Sequence, residues 1–129
     1  MASFGKVSKE RLATLDPRLQ EILVEAIKYY DLAILCGHRD ERAQNTAYNT
    51  NKSKLKWDKS KHNKFPSKAF DIAPYPIDWE DLDRFYFLAG IIFMIAKQKN
   101  IKIRWGRNWS MSWQFENQKF DDYPHFELV

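Results

Sequence analysis

The chain contains three potential metal ligands, which are His62 and Asp71 near its middle and His125 near its C-terminus. A catalytic zinc site commonly takes three protein ligands from histidine and carboxylate side chains and keeps a fourth position open. The third histidine of the chain, His38, is then left over. The residue types therefore predict a two-histidine, one-aspartate metal site, provided that the fold brings the three side chains together.

Two local features favour this site. Asp71 lies inside the apolar segment AFDIA, and a buried carboxylate without a partner is costly, so a cation is its natural neighbour. Asp122 precedes His125 by three residues, with a proline between them that stiffens the chain. This spacing would place the Asp122 carboxylate beside the metal, where it can act as a general base.

Each of these residues also has an ordinary interpretation. A lone histidine is most often a surface or core residue, and an aspartate in a strand often pairs with a nearby cation. Cys36 and His38 are two residues apart, which makes them a weaker candidate for a second metal site. Trp105, Trp109 and Trp113 are spaced by four residues, which is compatible with a groove lining or with core packing.

The elements that must position these residues form an α+β pattern. Asp16 and Pro17 are typical of a helix start, and an apolar stripe follows them to Tyr30. Residues 79–99, after Asp78, predict a second and largely buried helix, and residues 40–49 are weakly helical. Short apolar or alternating runs predict strands at 32–36, 69–73, 101–105, 112–116 and 125–129, and residues 49–67 are expected to be a long loop.

Helices and strands do not alternate in a strict βαβ order. We therefore expect an α+β fold in which a small, mostly antiparallel sheet packs against two or three helices. Pairing of the strands at 69–73 and 125–129 would bring Asp71 to His125, and the polar loop would fold His62 over them.

Length and composition limit the alternatives. A chain of 129 residues suits one domain, 1–129, without a separate binding module. Its 44% apolar residues exclude global disorder, and no apolar run is long enough for a membrane span. The N-terminus lacks the apolar core of a secretory signal, so we expect folding in a cytoplasm. The single cysteine excludes an internal disulfide framework.

The charge is unevenly distributed. The net charge is +4, and six lysines lie between Lys52 and Lys64. A basic surface favours anionic partners such as nucleic acid, anionic lipid or an anionic cell-wall polymer. A solvated loop that lysines keep soluble is an equally good interpretation.

Four blocks of the sequence resemble the peptidase M15 family. The run S-K-H…A-F-D-I is similar to its Ser-x-His…Ala-x-Asp motif, and D-Y-P-H resembles its terminal Asp/Glu-x-x-His. G-H-R with Gln44 resembles a Gly-(Tyr/His)-Arg-x-x-x-x-Gln segment, and I-R-W-G-R-N-W resembles an Arg-Trp-Gly-Gly-x-Trp stretch in which Arg107 replaces the second glycine. The blocks follow the family order. The small size and the form P-S-x-A-x-D-I-A-P-Y-P are most similar to the phage L-alanyl-D-glutamate peptidase branch, the endolysins.

This resemblance implies a fold like that of the hedgehog and D,D-peptidase domains. It implies that His62, Asp71 and His125 bind Zn²⁺ and that Asp122 is the catalytic base. Arg39 would point into the cleft, where a guanidinium can hold a substrate carboxylate or a developing oxyanion.

The activity implied by the resemblance is zinc-dependent cleavage of peptidoglycan stem peptides, at the L-Ala–D-Glu bond, by a phage endolysin during host lysis. Such an enzyme would be a monomer without a nucleic-acid partner. It would wait in the host cytoplasm until a holin-type membrane permeabiliser gave it access to the wall. A D,D-carboxypeptidase or D-Ala-D-Ala dipeptidase is the alternative within the same chemistry. A basic nucleic-acid-binding module, built on the lysines and tryptophans, is the alternative from a different class.

Overall fold

The computed structural model describes residues 2–115 and 118–129. Within those residues the chain forms four α helices, one 3-10 turn and four strands. In chain order these are α1 (Lys6–Leu12), α2 (Pro17–Ala26), β1 (Leu32–Cys36), α3 (Glu41–Asn49), the 3-10 turn (Lys61–Asn63), β2 (Ala69–Pro74), α4 (Leu82–Gln98), β3 (Ile103–Gly106) and β4 (Asp122–Leu128). None of the helices in these ranges combines the length and the apolarity needed to cross a bilayer.

The strands form one sheet in the order β1-β2-β4-β3, and each neighbouring pair is antiparallel. This confirms the α+β fold predicted from the sequence. Because side chains alternate between the two faces of a strand, one face is apolar and the other carries polar groups. On the apolar face, the two central strands contribute Phe70, Ile72, Phe126 and Leu128 to the core.

Helices α2 and α4 pack against each other, and α4 packs against the apolar face of the sheet. The predicted stripe of α2 is buried, with Leu19, Ile22, Leu23 and Ala26 fully inaccessible to solvent. The side chain of Asp16 caps this helix by accepting a hydrogen bond from the backbone N–H of Arg18 at 2.9 Å. Burial of these two helices on the sheet provides the main core of the domain.

Helix α1 was not predicted from the sequence. It has seven residues, and Ser8 is its only buried residue, so it lacks an apolar stripe. It packs on the edge strand β1, where Ser8 Oγ accepts from Ile34 N–H at 3.0 Å and Arg11 Nη1 donates to the Ile34 carbonyl at 2.9 Å. The helix thereby satisfies backbone groups that an edge strand would otherwise leave unpaired.

Several boundaries differ from the sequence predictions. Helix α2 ends at Ala26, because the chain turns over residues 27–30 to enter β1. Helix α4 begins at Leu82 rather than near Trp79, because Asp78 Oδ1 accepts from Glu80 N–H in a turn that precedes the helix.

The predicted strand at 112–116 was wrong over residues 112–115, which form a loop, and Glu116 lies outside the described residues. Local side-chain hydrogen bonds explain the loop: Asn108 Oδ1 accepts from Trp113 N–H at 2.9 Å, and Ser110 Oγ bonds Ser112 Oγ at 2.7 Å. Strand β4 starts at Asp122, three residues earlier than predicted, so Asp122 is a strand residue.

The polar face of the sheet forms the floor of a cleft of about 1470 Å³. Helix α3 and the segment 50–61 form one side of this cleft, and residues before and within β4 form the other. All five site residues predicted from the sequence line it: His62, Asp71, His125, Asp122 and Arg39.

Candidate active site

Three neighbouring strands place one residue each in a row across the floor of the cleft. In the antiparallel pairing Cys36 lies opposite Asp71, and Asp71 lies opposite His125. An irregularity in β1 between Ile34 and Cys36 shifts the register so that Cys36 joins this row. The pairing of the segments around Asp71 and His125 is the one predicted from the sequence.

His62 reaches the same point from the 3-10 turn. Ser60 caps that turn, since its Oγ accepts from His62 N–H at 3.1 Å while Asn63 Oδ1 accepts from Ser60 N–H at 3.1 Å. The His62 carbonyl accepts from Arg39 N–H at 2.8 Å, which ties the turn to the chain after β1. These bonds hold the His62 ring in a fixed, buried position.

Three donor atoms converge within this frame. His62 Nε2 lies 3.2 Å from Asp71 Oδ1, His125 Nδ1 lies 3.2 Å from the same oxygen, and the two nitrogens are 3.2 Å apart. The atoms form an almost equilateral triangle. The structure therefore brings together the three residues that the sequence singled out as metal ligands.

The opposite nitrogen of each ring determines which electron pairs face the triangle. His62 Nδ1 lies 2.7 Å from the Gly37 carbonyl, and His125 Nε2 lies 2.8 Å from Glu127 Oε1. Both partners are acceptors, so each ring donates its proton away from the triangle when it is neutral. His62 Nε2, His125 Nδ1 and Asp71 Oδ1 then present three lone pairs to one point, which requires a positive charge between them.

The electrostatics of the cluster agree with that requirement. Burial favours the neutral form of His62, but the adjacent Asp71 carboxylate outweighs burial and raises the His62 pKa well above its ordinary value. Burial likewise opposes ionisation of Asp71, yet the neighbouring His62 and His125 hold the Asp71 pKa far below its usual range. Burial favours the neutral form of His125, but hydrogen bonds from its ring to the Asp71 and Glu127 carboxylates outweigh burial and raise the His125 pKa. The site thus favours positive charge at its centre, which either protons on the histidines or a bound metal cation can supply.

Cys36 lies on the Nδ1 side of the His62 ring and is not part of the triangle. One donor atom from each of Cys36, His62 and Asp71 can be chosen within 4.8 Å of one another, and this group could hold a metal ion. However, Cys36 Sγ lies 3.7 Å from His62 Nδ1, the nitrogen that faces Gly37, whereas Asp71 and His125 face Nε2. The two nitrogens of one ring point in different directions, so the set with His125 converges better on a single ion.

The candidate second site of Cys36 with His38 does not form. The His38 ring packs edge-on against Phe65, with centroids 5.2 Å apart. Cys36 Sγ instead contacts His62 and Arg39.

Asp122 faces the cleft from the first position of β4. Burial, followed by repulsion from the Asp71 carboxylate, raises the pKa of Asp122 to about 6. Gly106 allows its backbone to approach closely, because a Cβ at Gly106 would lie 2.2 Å from the Asp122 carbonyl oxygen. Asp121 points elsewhere, since its Oδ1 accepts from Gln118 Nε2 at 2.7 Å and lies 3.3 Å from Arg107 Nη1.

Arg39 lies against the Asp71 carboxylate. Its Nη2 is 3.7 Å from Asp71 Oδ2, and its Nη1 donates to Gln44 Oε1 at 3.0 Å. Gln44 is completely buried and also accepts from Asn63 Nδ2 at 3.0 Å. This network links the segment after β1, helix α3 and the 3-10 turn around the candidate ligands.

Glu127 supports the candidate site, although its sequence motif did not predict this role. Its Oε1 accepts from His125 Nε2, and its Oε2 accepts from Arg104 Nη2 at 2.7 Å and lies 3.4 Å from Lys61 Nζ. These partners hold the Glu127 pKa well below its usual range, although burial opposes this. The signal that could have found it is its position two residues after His125, which places both side chains on one face of a strand.

The three tryptophans have different environments. Trp105 is buried in the core, and Trp113 packs on Phe93 with ring centroids 4.6 Å apart. Trp109 lines the cleft, with its ring centroid 5.5 Å from that of His125. The spacing of four residues therefore does not describe a groove, and Trp109 alone among them lies beside the candidate ligands.

Comparison with known proteins places this site in a family. The family described as phage L-alanyl-D-glutamate peptidase matches residues 1–129. The L-alanyl-D-glutamate peptidase of Escherichia phage T5 is 38% identical to the chain, over 98% of this chain and 97% of its own length. The chain belongs to the phage L-alanyl-D-glutamate peptidase family. This confirms the branch that the sequence motifs indicated, and with it that the protein is a peptidase.

The fold of the peptidase is also seen in a solved structure. The crystal structure of Serratia marcescens L-Ala D-Glu endopeptidase ChiX superposes with a TM-score of 0.76, covering 99% of this chain and 91% of the other. Sequence identity is 22%, so this likeness concerns the fold. The peptidase thus combines the predicted α+β architecture with a cleft in which a buried cluster could hold a metal ion.

Proposed function

We propose that this peptidase hydrolyses the L-Ala–D-Glu bond of peptidoglycan stem peptides, using a zinc ion held by His62, Asp71 and His125, and that it serves as a phage endolysin. Membership of the family supports the reaction and the bond. The observation that carries the zinc site is the convergence of three electron-pair donors, each 3.2 Å from the other two, in a buried setting.

The donor set fits zinc in type and in spacing. Imidazole nitrogen and carboxylate oxygen are common zinc ligands, and three protein ligands with one open position are usual in catalytic sites. Ligands about 2.0–2.1 Å from a tetrahedral ion lie about 3.3 Å from one another, which is close to the observed separations. Once bound, zinc supplies a Lewis acid that polarises the scissile carbonyl and makes a coordinated water more acidic.

The side chains of the cleft would carry out the proton transfers. Asp122, whose pKa is raised to about 6, is largely ionised at neutral pH but basic enough to take the proton of the attacking water. The protonated carboxyl group can then donate that proton to the leaving amine. Arg39, held by Gln44 beside Asp71, offers a fixed positive charge to a substrate carboxylate or to the developing oxyanion.

The cellular setting follows from the same proposal. We infer that residues 1–129 act as one catalytic domain and that the protein works as a monomer. It would remain in the host cytoplasm until a holin-type permeabiliser of the membrane lets it reach the wall.

Digestion of purified peptidoglycan followed by mass spectrometry tests the function. We expect new N-terminal D-Glu and intact glycan chains. New reducing ends would indicate a glycosidase and refute the proposal, whereas release of terminal D-Ala alone would assign the protein to the D,D-carboxypeptidases or dipeptidases.

Alanine variants of His62, Asp71 and His125 test the zinc site. Each variant should lose most of its bound zinc and its activity, because each removes one ligand. His38→Ala is the matched control and should keep its zinc, since its ring packs on Phe65. Full zinc content in all three ligand variants would show that the site is elsewhere.

A further inference from the structure

We propose that Lys52, Lys54 and Lys59, here called the lysine wall, bind the free carboxylates of the stem peptide beside the reacting bond. This inference rests on the proposed function and deepens it by assigning the part of the cleft that recognises substrate charge. Its basis is the way in which the fold divides the lysine cluster of the sequence.

The six clustered lysines do not share one environment. Lys56 and Lys64 lie outside the cleft lining, and Lys56 Nζ sits 5.2 Å from the centroid of the Tyr48 ring. Lys61 lines the cleft, but its Nζ already contacts Glu127 Oε2 and the Leu128 carbonyl. The three lysines of the wall line the same cleft as the candidate ligands and have exposed side chains. Lys54 Nζ also lies 5.3 Å from the centroid of the Phe120 ring, a cation–π contact that adds no negative charge.

The charge of the lysine wall is largely uncompensated. Across residues 2–115 and 118–129, neither Lys52 nor Lys54 forms a salt bridge, and Lys59 only approaches Asp58 at 3.9 Å with both side chains mostly exposed. Such an exposed contact is weak. The acidic side chains that line the cleft have other roles or partners.

Those acids are few enough to account for individually. Asp71 and Asp122 belong to the candidate site, and Glu127 is paired with His125 and Arg104. Asp40 caps helix α3 by accepting from a backbone N–H at 2.8 Å. On the floor of the cleft, Asp71 lies beside Arg39, and Glu127 lies beside Arg104 and Lys61, whereas the lysine wall has no comparable acidic partner among the described residues.

The backbone that carries the lysine wall is fixed relative to the candidate site. The buried Gln44 donates through Nε2 to Ser53 Oγ at 3.0 Å and to the Leu55 carbonyl at 2.6 Å. Its Oε1 accepts from Arg39 Nη1, and Arg39 contacts Asp71. Gln44 and Arg39 together thus link Asp71 to the two residues that flank Lys54. A segment whose backbone is already held by hydrogen bonds loses less conformational entropy when its lysines bind a ligand than a free loop does.

The chemistry of the substrate matches this arrangement. A glutamyl residue has two carboxyl groups, and only one of them continues the peptide, so a free carboxylate remains next to an L-Ala–D-Glu bond. A stem peptide bound at the candidate site can therefore place negative charge against the wall.

Two triple variants of equal charge test the proposal. Lys52→Ala/Lys54→Ala/Lys59→Ala removes the wall, and Lys6→Ala/Lys9→Ala/Lys64→Ala removes three exposed lysines that do not line the cleft. Each is assayed on a synthetic stem peptide with the free D-Glu carboxylate and on the same peptide with a carboxamide in its place. The amide keeps the shape of the carboxylate and removes its charge.

We expect the wall variant to raise KM for the carboxylate peptide by at least about 1.5- to 5-fold, the worth of one exposed ion pair with the D-Glu carboxylate. Its kcat and its zinc content should stay close to those of the wild type. KM for the carboxamide peptide should change little in any variant, and the control variant should resemble the wild type on both peptides.

Other results overturn the inference. An unchanged KM in the wall variant shows that these lysines only solubilise the loop. An equal rise on both peptides shows that the shape of the segment matters and its charge does not. Loss of affinity for a DNA oligonucleotide with unchanged peptide kinetics assigns the wall to nucleic acid. A wild-type protein that holds zinc but cuts neither peptide contradicts the proposed function, and the inference falls with it.

Discussion

Glu127→Gln is the substitution with the clearest expected effect on the proposed metal site. Both oxygens of the Glu127 carboxylate accept hydrogen bonds. Oε1 accepts from His125 Nε2 at 2.8 Å, and Oε2 accepts from Arg104 Nη2 at 2.7 Å and lies 3.4 Å from Lys61 Nζ. An amide of the same shape has only one acceptor. If its oxygen faces His125, its NH₂ group faces two cations. If its oxygen faces Arg104, its NH₂ group faces His125 Nε2, which must then accept, and the ring proton moves to Nδ1.

Both orientations weaken metal binding, for different reasons. The first loses the negative charge that makes His125 a more basic ligand, and the second puts a proton on the nitrogen that should bind the metal. Loss of such a hydrogen-bonding partner of a ligand usually lowers metal affinity by about 10- to 100-fold, or about 1.4–2.8 kcal/mol. We expect an effect in this range, since Glu127 is buried and its bond to His125 is short.

Competition with a chromophoric chelator at pH 7 measures the zinc affinity directly. The absorption spectrum of the Co²⁺-substituted protein reports separately on the ligand geometry. Glu25→Gln is the matched control, because Glu25 lies on α2 and pairs with Lys28 at 3.1 Å, outside the cleft lining. An unchanged zinc affinity together with an unchanged Co²⁺ spectrum in Glu127→Gln would refute the positioning role of this carboxylate.

Three further predictions concern Asp122 as the proposed base, Gly106 beside it and the stability of the fold. Asp122→Asn should keep zinc but lower turnover by about 10²–10⁴-fold in a peptide-cleavage assay, whereas Asp121→Asn, whose side chain points away from the cleft, should leave turnover nearly unchanged. Gly106→Ala should lower turnover and shift the thermal unfolding midpoint downward, because its Cβ would lie 2.2 Å from the Asp122 carbonyl oxygen; wild-type values for both would contradict this contact. The pKa of Asp16 lies far below its usual range, mainly because its side chain accepts a hydrogen bond from Arg18. Asp16→Asn should therefore lower the free energy of unfolding by about 1–2 kcal/mol at pH 7. That difference should shrink as the pH falls below about 4, where Asp16 of the unfolded chain becomes protonated, and urea unfolding at pH 7 and pH 3 measures it.

The local parts of the site were predictable from the sequence. The alternation in AFDIA already places Asp71 on the face opposite Phe70 and Ile72, because neighbouring side chains in a strand point to opposite faces. That prediction depends only on strand geometry. Alternation alone would place Asp122 and His125, which are three residues apart, on opposite faces of β4. Both line the cleft because the pairing of β3 with β4 is irregular between Trp105 and Gly106.

Partnerships between distant residues were not predictable. Glu127 owes its environment to Arg104 in β3 and Lys61 in the 3-10 turn, and its sequence neighbours contain no sign of either. The division of the lysine cluster has the same origin. Whether Lys54 or Lys56 lines the cleft depends on how Gln44 fixes the segment between them, which is a tertiary hydrogen bond.

The geometry of the candidate site depends on the opposite face of the sheet. Phe126 lies opposite Phe70 in β2 and Trp105 in β3, and its ring stacks on both, with centroids 5.4 Å and 6.0 Å away. A slip of one residue in β4 would bring Phe126 into the cleft and His125 into the apolar core. Burial of the Phe126 side chain alone opposes that slip by about 1.5–3 kcal/mol. The aromatic core therefore fixes the register that puts His125 opposite Asp71, and it does so without contributing a ligand.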